Sequence, residues 1–156
     1  MEMYNQNSIF VKVSEGLCDP FVTTKGVLQG CVNSPNISNL LIDSISKIFD
    51  DSCDPVEIQE TKQSCLLWAD DLLIFSLSAK GLQNSIDKMA KFYKCMGLEI
   101  SSKKTKVMIF NKAGKVLKGL NFYLNGKLLE VTDEYQYLGK NLNHLVLCLW
   151  HLTYYR

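Results

Sequence analysis

Cys65-Leu66-Leu67-Trp68-Ala69-Asp70-Asp71-Leu72-Leu73-Ile74-Phe75 sets two adjacent carboxylates between two short, almost wholly apolar runs. Apolar runs of this length read as central strands covered on both faces, which puts the acids at the tip of a β-hairpin. Burying such acids unpaired is costly. Carboxylate oxygens are hard ligands suited to Mg²⁺, which is held by one or two of them plus substrate phosphates, so the pair is a candidate phosphoryl-transfer centre. Solvated turn chemistry is the competing reading, although two-residue hairpins favour Asn-Gly or Asp-Gly over two acids.

Outward from the hairpin, Ser78 can cap a helix whose apolar stripe is Leu82, Ile86, Met89, Ala90 and Tyr93, with Gly97 placed to end it. The opposite face carries Lys80, Lys88, Lys91 and Lys94. Strands are expected over 107–110, 122–124 and 127–131, the last two joined by the turn pair Asn125-Gly126, with a further strand near 135–138. On the N-terminal side, Asn33-Ser34-Pro35 starts a helix, and Ile37, Leu40, Leu41, Ile45, Ile48 and Phe49 recur behind it for roughly four turns. Alternation over 9–13 and the β-rich stretch 21–24, separated by Glu15-Gly16, predict an opening hairpin. The fold class is α+β: a mainly antiparallel sheet with two helices packed on one face.

Composition narrows the function classes. The chain has 156 residues, 47% of them apolar, and three prolines, enough for one globular core. Its six cysteines form no Cys-x-x-Cys pair and its two histidines do not fall at zinc-ligand spacing, which points to a reduced intracellular setting and away from zinc. No apolar run approaches the roughly 20 residues that span a bilayer, so no membrane role is indicated. The net charge of +1 hides an asymmetry: residues 1–79 hold four lysines against eleven acids, residues 80–156 thirteen basic residues against five acids. A lysine-rich second half is a solvated helix face or a source of phosphate contacts for a nucleic acid.

Four segments taken together carry a family resemblance: Gly26-Val27-Leu28-Gln29-Gly30-Cys31-Val32-Asn33-Ser34-Pro35, then Trp68-Ala69-Asp70-Asp71, then Gly97-Leu98-Glu99-Ile100 with Lys103-Lys104-Thr105-Lys106-Val107-Met108, then Tyr137-Leu138-Gly139. In this order and spacing they resemble the later palm motifs of a reverse transcriptase, an RNA-directed DNA polymerase, of the non-long-terminal-repeat (LINE- or jockey-like) retrotransposon type. The resemblance implies that Asp70 is a metal ligand, with Asp71 a weaker contributor. Two Mg²⁺ ions (Mn²⁺ as substitute) about 4 Å apart would stabilise the attacking 3′-oxygen and the leaving pyrophosphate. By the same resemblance Gln29 and Gly30 border the incoming nucleotide or template, and Ser34 and Pro35 open the helix beneath. Trp68 and Ala69 lie beside the nucleotide, with Trp68 a bulkier packing residue where the family usually has Phe or Tyr. Lys104 protonates pyrophosphate, and Tyr137, Leu138 and Gly139 grip the primer. RNA template, DNA primer and dNTP are the implied partners.

The pattern departs from the family at both ends. The strand that supplies the facing carboxylate stands well upstream of Gly26 in the family, and Glu2, Glu15 and Asp19 do not match its apolar strand with Ala-Phe-Asp. The expected organisation is a partial palm over 1–139, lacking fingers, first catalytic strand and thumb, followed by a divergent tail over 140–156. Such a chain is expected not to polymerise by itself, and to leave an apolar edge of the hairpin open. The alternative is a non-catalytic nucleic-acid-binding remnant that uses the lysines. A phosphorelay receiver also begins with paired acids, but no later strand here ends in a suitable phosphoacceptor Asp.

Overall fold

The computed structural model describes residues 7–23, 30–68, 71–110, 119–143, 150 and 151. Two compact units divide between Ile42 and Asp43.

In the first unit, β1 (Asn7–Ile9) pairs antiparallel with β4 (Phe21–Thr23), and nested inside them β2 (Lys12–Val13) pairs with β3 (Gly16–Leu17). The opening hairpin is therefore present, with Gly16 at φ 139°, a backbone region that side chains disfavour. After the Gly30 turn comes α1 (Ser34–Asp43), whose first bond runs from the Ile37 N–H to the Asn33 carbonyl. Expected to continue for four turns, α1 instead has ten residues.

The second unit shows why. Beyond Asp43 the chain tightens into a 3₁₀ turn, Ser46–Ile48, and the Ser46 hydroxyl donates to the Asp43 carbonyl at 3.0 Å. Asp43, Ser44 and Ser46 are poor helix formers because their short polar side chains compete for backbone groups. Of the predicted apolar stripe, Ile45 is buried at 1% exposure without being helical, whereas Leu40 is 74% exposed.

A second 3₁₀ turn, Asp51–Cys53, leads to the antiparallel pair β5 (Val56–Ile58) and β6 (Thr61–Gln63), then to β7 (Cys65–Trp68) and β8 (Asp71–Ile74). The register Cys65↔Ile74, Leu66↔Leu73, Leu67↔Leu72, Trp68↔Asp71 leaves two residues at the hairpin tip. β8 is buried along Leu72, Leu73 and Ile74, as a central strand should be. β7 is not central. The strand order places it at an edge, and Leu66 and Trp68 are 48% and 65% exposed.

The long helix α2 (Ala79–Cys95) matches its sequence signals closely. Ser78 accepts from the Gly81 N–H at 3.0 Å, satisfying one of the free donors of the first turn. Leu82, Ile86, Met89, Ala90 and Tyr93 are all buried. At the other end Gly97 sits at φ 70° and the Leu98 N–H returns to the Tyr93 carbonyl at 2.9 Å, which closes the helix.

α2 is fastened to the 3₁₀ turn before it. Asn84 donates to the Ser52 carbonyl at 2.8 Å, and Lys88 pairs with Asp50, whose carboxyl the Lys88 ammonium and the Ser52 donors hold down at about 2. Gly81 makes this approach possible, because a Cβ there would lie 2.6 Å from the Cys53 carbonyl. Gln83 ties the far side by exchanging two hydrogen bonds with the Tyr123 backbone.

The remaining strands are short. β9 (Lys106–Val107) pairs with β12 (Glu130–Val131) in parallel, and β10 (Tyr123–Leu124) with β11 (Lys127–Leu128) across Asn125-Gly126, at φ 51° and 78° as a two-residue hairpin turn requires. The expected strand over 107–110 thus ends at Val107, and that over 127–131 is broken at Leu129, which is buried. β13 (Glu134–Tyr137) pairs antiparallel with β14 (Lys140–Asn143). β15 (Trp150–His151) joins β8 on the side away from β7. The α+β class with mainly antiparallel pairing holds, and among the described residues the strands are spread over seven small sheets. An apolar edge of the hairpin was expected to stay open; among the described residues β7 is the edge strand, with Leu66 and Trp68 exposed, and β8 is flanked by β15.

Candidate active site

Asp71 opens β8 directly opposite Trp68. Side chains alternate across a strand, so Asp71, Leu73 and Phe75 project from one face. Leu73 and Phe75 form a buried cluster with Met108, and Tyr135 and Tyr137 of β13 pack against it. Two residues apart on β13, the tyrosines share a face and reach the region of the Asp71 carboxylate. Burial first, and the Asp71 charge second, push both phenols above their ordinary value. Asp71 is half-buried, with Oδ1 shielded from solvent.

Tyr137-Leu138-Gly139 lies at the turn of the β13–β14 hairpin, where Tyr137 faces Lys140 across a two-residue loop. Both loop residues have positive φ, Leu138 at 47° and Gly139 at 76°. That region suits glycine and strains a leucine, yet Leu138 is also 52% exposed, so no burial compensates the strain.

The other predicted residues are placed as follows. Ala69 and Asp70, the hairpin tip itself, lie outside the described residues, as does Gln29. Trp68, expected as a packing residue, is solvent-exposed because it sits on the edge strand. Lys104 is exposed in a turn pinned by Thr105, whose hydroxyl donates to the Ser101 carbonyl at 2.8 Å. Gly30 (φ 81°), the buried Ser34 and the exposed Pro35 belong to the first unit. Thus Asp71 and Tyr137 are brought to one face of one cluster. Tyr135 joins them and was missed as a site residue, although its position two before Tyr137 on a strand was the available signal.

Among the described residues no group of three His, Cys, Asp or Glu side chains is arranged to hold a metal ion. Asp71 is a donor of the right chemistry, and its sequence neighbour Asp70 is a second, so the pair fits part of a Mg²⁺ ligand set. Cys65, on β7, is no competitor as a reactive group: burial pushes its thiol up to about 11.

A family model described as reverse transcriptase (RNA-dependent DNA polymerase) matches residues 2–142. The chain belongs to that family. Among its relatives, the Retrovirus-related Pol polyprotein from type-2 retrotransposable element R2DM of Drosophila melanogaster is 29% identical over 130 residues, covering 79% of this chain and 12% of that protein. The corresponding polyprotein from type-1 retrotransposable element R2 of Bradysia coprophila is 26% identical over 146 residues, covering 88% of this chain and 17% of its own length. The resemblance to a reverse transcriptase of the non-long-terminal-repeat type is borne out by these relatives, of whose length the chain spans less than a fifth. Among the described residues of this reverse transcriptase chain, no helix is long and apolar enough to cross a membrane.

Proposed function

We propose that this chain supplies the palm portion of an RNA-directed DNA polymerase, with Asp70 and Asp71 as the metal-binding carboxylates of nucleotidyl transfer. One observation carries the reading: the half-buried Asp71 stands at a two-residue hairpin tip and shares its face with the tyrosines of the Tyr137-Leu138-Gly139 hairpin. Bound there, Mg²⁺ would polarise phosphoryl oxygens and neutralise developing charge. The chain's own residues do the holding: β8 fixes Asp71, the β13–β14 turn presents Leu138 toward a primer strand, and the exposed Lys104 offers a proton for a departing pyrophosphate. By the family resemblance Gln29, Gly30, Ser34 and Pro35 are the nucleotide- or template-binding residues, and in the second unit Trp68 offers an open aromatic face.

Phosphoryl transfer of this kind uses a further carboxylate on a separate strand, and Glu2, Glu15 and Asp19 do not match the family's pattern for it. In this reading the chain does not extend a primer by itself. Extension of a DNA primer on an RNA template, with dNTPs and Mg²⁺ or Mn²⁺, tests both parts. No extension by the chain is the expected result. Extension that Asp70→Ala abolishes would overturn the inactivity and uphold the site, whereas extension indifferent to Asp70→Ala and Asp71→Ala would overturn the site itself.

A second reading, nucleic-acid binding without catalysis, is favoured by the lysines. Lys88 and Lys106 are committed to Asp50 and Glu130, but Lys91, Lys94, Lys103 and Lys104 are exposed and in no ion pair among the described residues. Phosphate contacts release counterions, so an RNA–DNA hybrid should bind at low salt and lose affinity steeply as salt rises. No binding at low salt removes this reading.

A further inference from the structure

The register of the β13–β14 hairpin sorts its side chains into two faces. Directly opposed residues of an antiparallel pair share a face, so Tyr135 with Leu142 and Tyr137 with Lys140 line one side, and Gln136 with Asn141 the other. Tyr135, Tyr137 and Leu142 pack against Leu73, Phe75 and Met108, and Leu73 and Phe75 follow Asp71 on one face of its strand. The Asp71 charge is felt at both phenols. The remaining member of this otherwise apolar face is a cation, Lys140, at the position that flanks the Leu138-Gly139 turn. Lys140 is exposed and enters no ion pair among the described residues.

We propose that Lys140 holds a phosphodiester of the primer strand beside the Tyr137-Leu138-Gly139 turn, and so sets the 3′ end of that strand against the Asp70-Asp71 tip. An ammonium is a compact charge with three donors and no acceptor, suited to a phosphate oxygen. The neighbourhood favours an anion of this kind: a divalent cation at the Asp tip and the Lys140 ammonium repel each other, whereas a phosphodiester between them is attracted by both. The inference rests on the polymerase reading for where the primer lies. It adds a residue just past the segment that the family resemblance assigns to the primer, picked out by its register opposite Tyr137.

Binding of the whole chain to a DNA primer annealed to an RNA template, in Mg²⁺, tests it when single primer linkages are replaced by uncharged methylphosphonates. In the unmodified chain one linkage near the 3′ end should weaken binding by about two- to fivefold when neutralised, the range of an exposed charge pair. Lys140→Gln should abolish that penalty and lower the salt slope by about 1, the loss of one phosphate contact. Lys140→Arg should keep the penalty. Lys127 holds the same place after the Asn125-Gly126 turn but faces Leu124, and Lys127→Gln should keep it as well. A penalty that persists in folded Lys140→Gln overturns the proposal. So does a primer with no sensitive linkage near its 3′ end, or no binding at low salt, and these results decide even if the variants do not fold. Failure of the polymerase reading is seen separately, as Mn²⁺ binding indifferent to Asp70→Asn/Asp71→Asn.

Discussion

Asp71 and the two tyrosines make a test that needs no substrate. The Asp71 charge contributes to raising both phenols, behind burial. A neutral side chain in its place removes that part and leaves the burial. Asp71→Asn should therefore lower the pH at which Tyr135 and Tyr137 ionise, without bringing them fully to the ordinary tyrosine value, as read by ultraviolet or NMR titration. An unchanged titration would separate Asp71 from the β13 face. Leu138 makes a second test. At φ 47° it holds a backbone conformation unfavourable for a leucine by about 1–2 kcal/mol. Leu138→Asn restores the Asn-Gly turn that Asn125-Gly126 uses and should stabilise the chain by about 0.5–1 kcal/mol in denaturant unfolding. Where Leu138 serves to touch a primer, the more stable variant binds it less well. At this scale the sequence was informative where chemistry is local, as with the Ser78 cap and the Asn125-Gly126 turn. The exposure of Trp68 was not legible there, since it depends on which strand lies beside β7.

α2 shows how far an element can be read before its structure is known. Its stripe, its serine cap and its closing glycine are all spaced within a few residues, and each does what the spacing predicts. Gly81 is different. In sequence it is an unremarked glycine in the first turn of a helix, where alanine would favour helix by up to about 1 kcal/mol. In the fold an added Cβ would fall 2.5 Å from Ser76 Oγ and 2.6 Å from both Asp54 Cβ and the Cys53 carbonyl. Gly81→Ala should therefore destabilise, by about 1–2 kcal/mol in thermal or denaturant unfolding, because overpacking against backbone outweighs propensity. A stabilised variant would mean that the 3₁₀ turn before α2 yields freely. α1 was overextended for the opposite reason: the apolar rhythm continues past Asp43, but it is carried by a tighter turn once Ser46 takes the Asp43 carbonyl. Strand boundaries over 106–131 were blurred similarly, since β9, β11 and β12 have only two residues each.

For the whole molecule, the family was legible because four short motifs keep their order, and a match over residues 2–142 establishes it. Long-range pairing was not legible. Nothing in the local pattern of Trp150 and His151 announces that they pair with Leu72 and Asp71 of β8. The charge asymmetry is likewise only half-readable. Part of the lysine-rich half is spent on internal ion pairs with Asp50 and Glu130, while Lys91, Lys94, Lys103 and Lys104 are exposed.

The central claim is that the Asp70-Asp71 tip binds a divalent cation beside the Tyr137-Leu138-Gly139 hairpin. Mn²⁺ added to the isotopically labelled chain, read by the paramagnetic broadening of its backbone signals, tests that claim most directly. The expected result is broadening centred on Trp68 to Leu72 and extending to Tyr135 to Gly139, lost in Asp70→Asn/Asp71→Asn. Broadening centred instead on Asp50, Asp51 and Asp54, or unaltered by the double substitution, would contradict it.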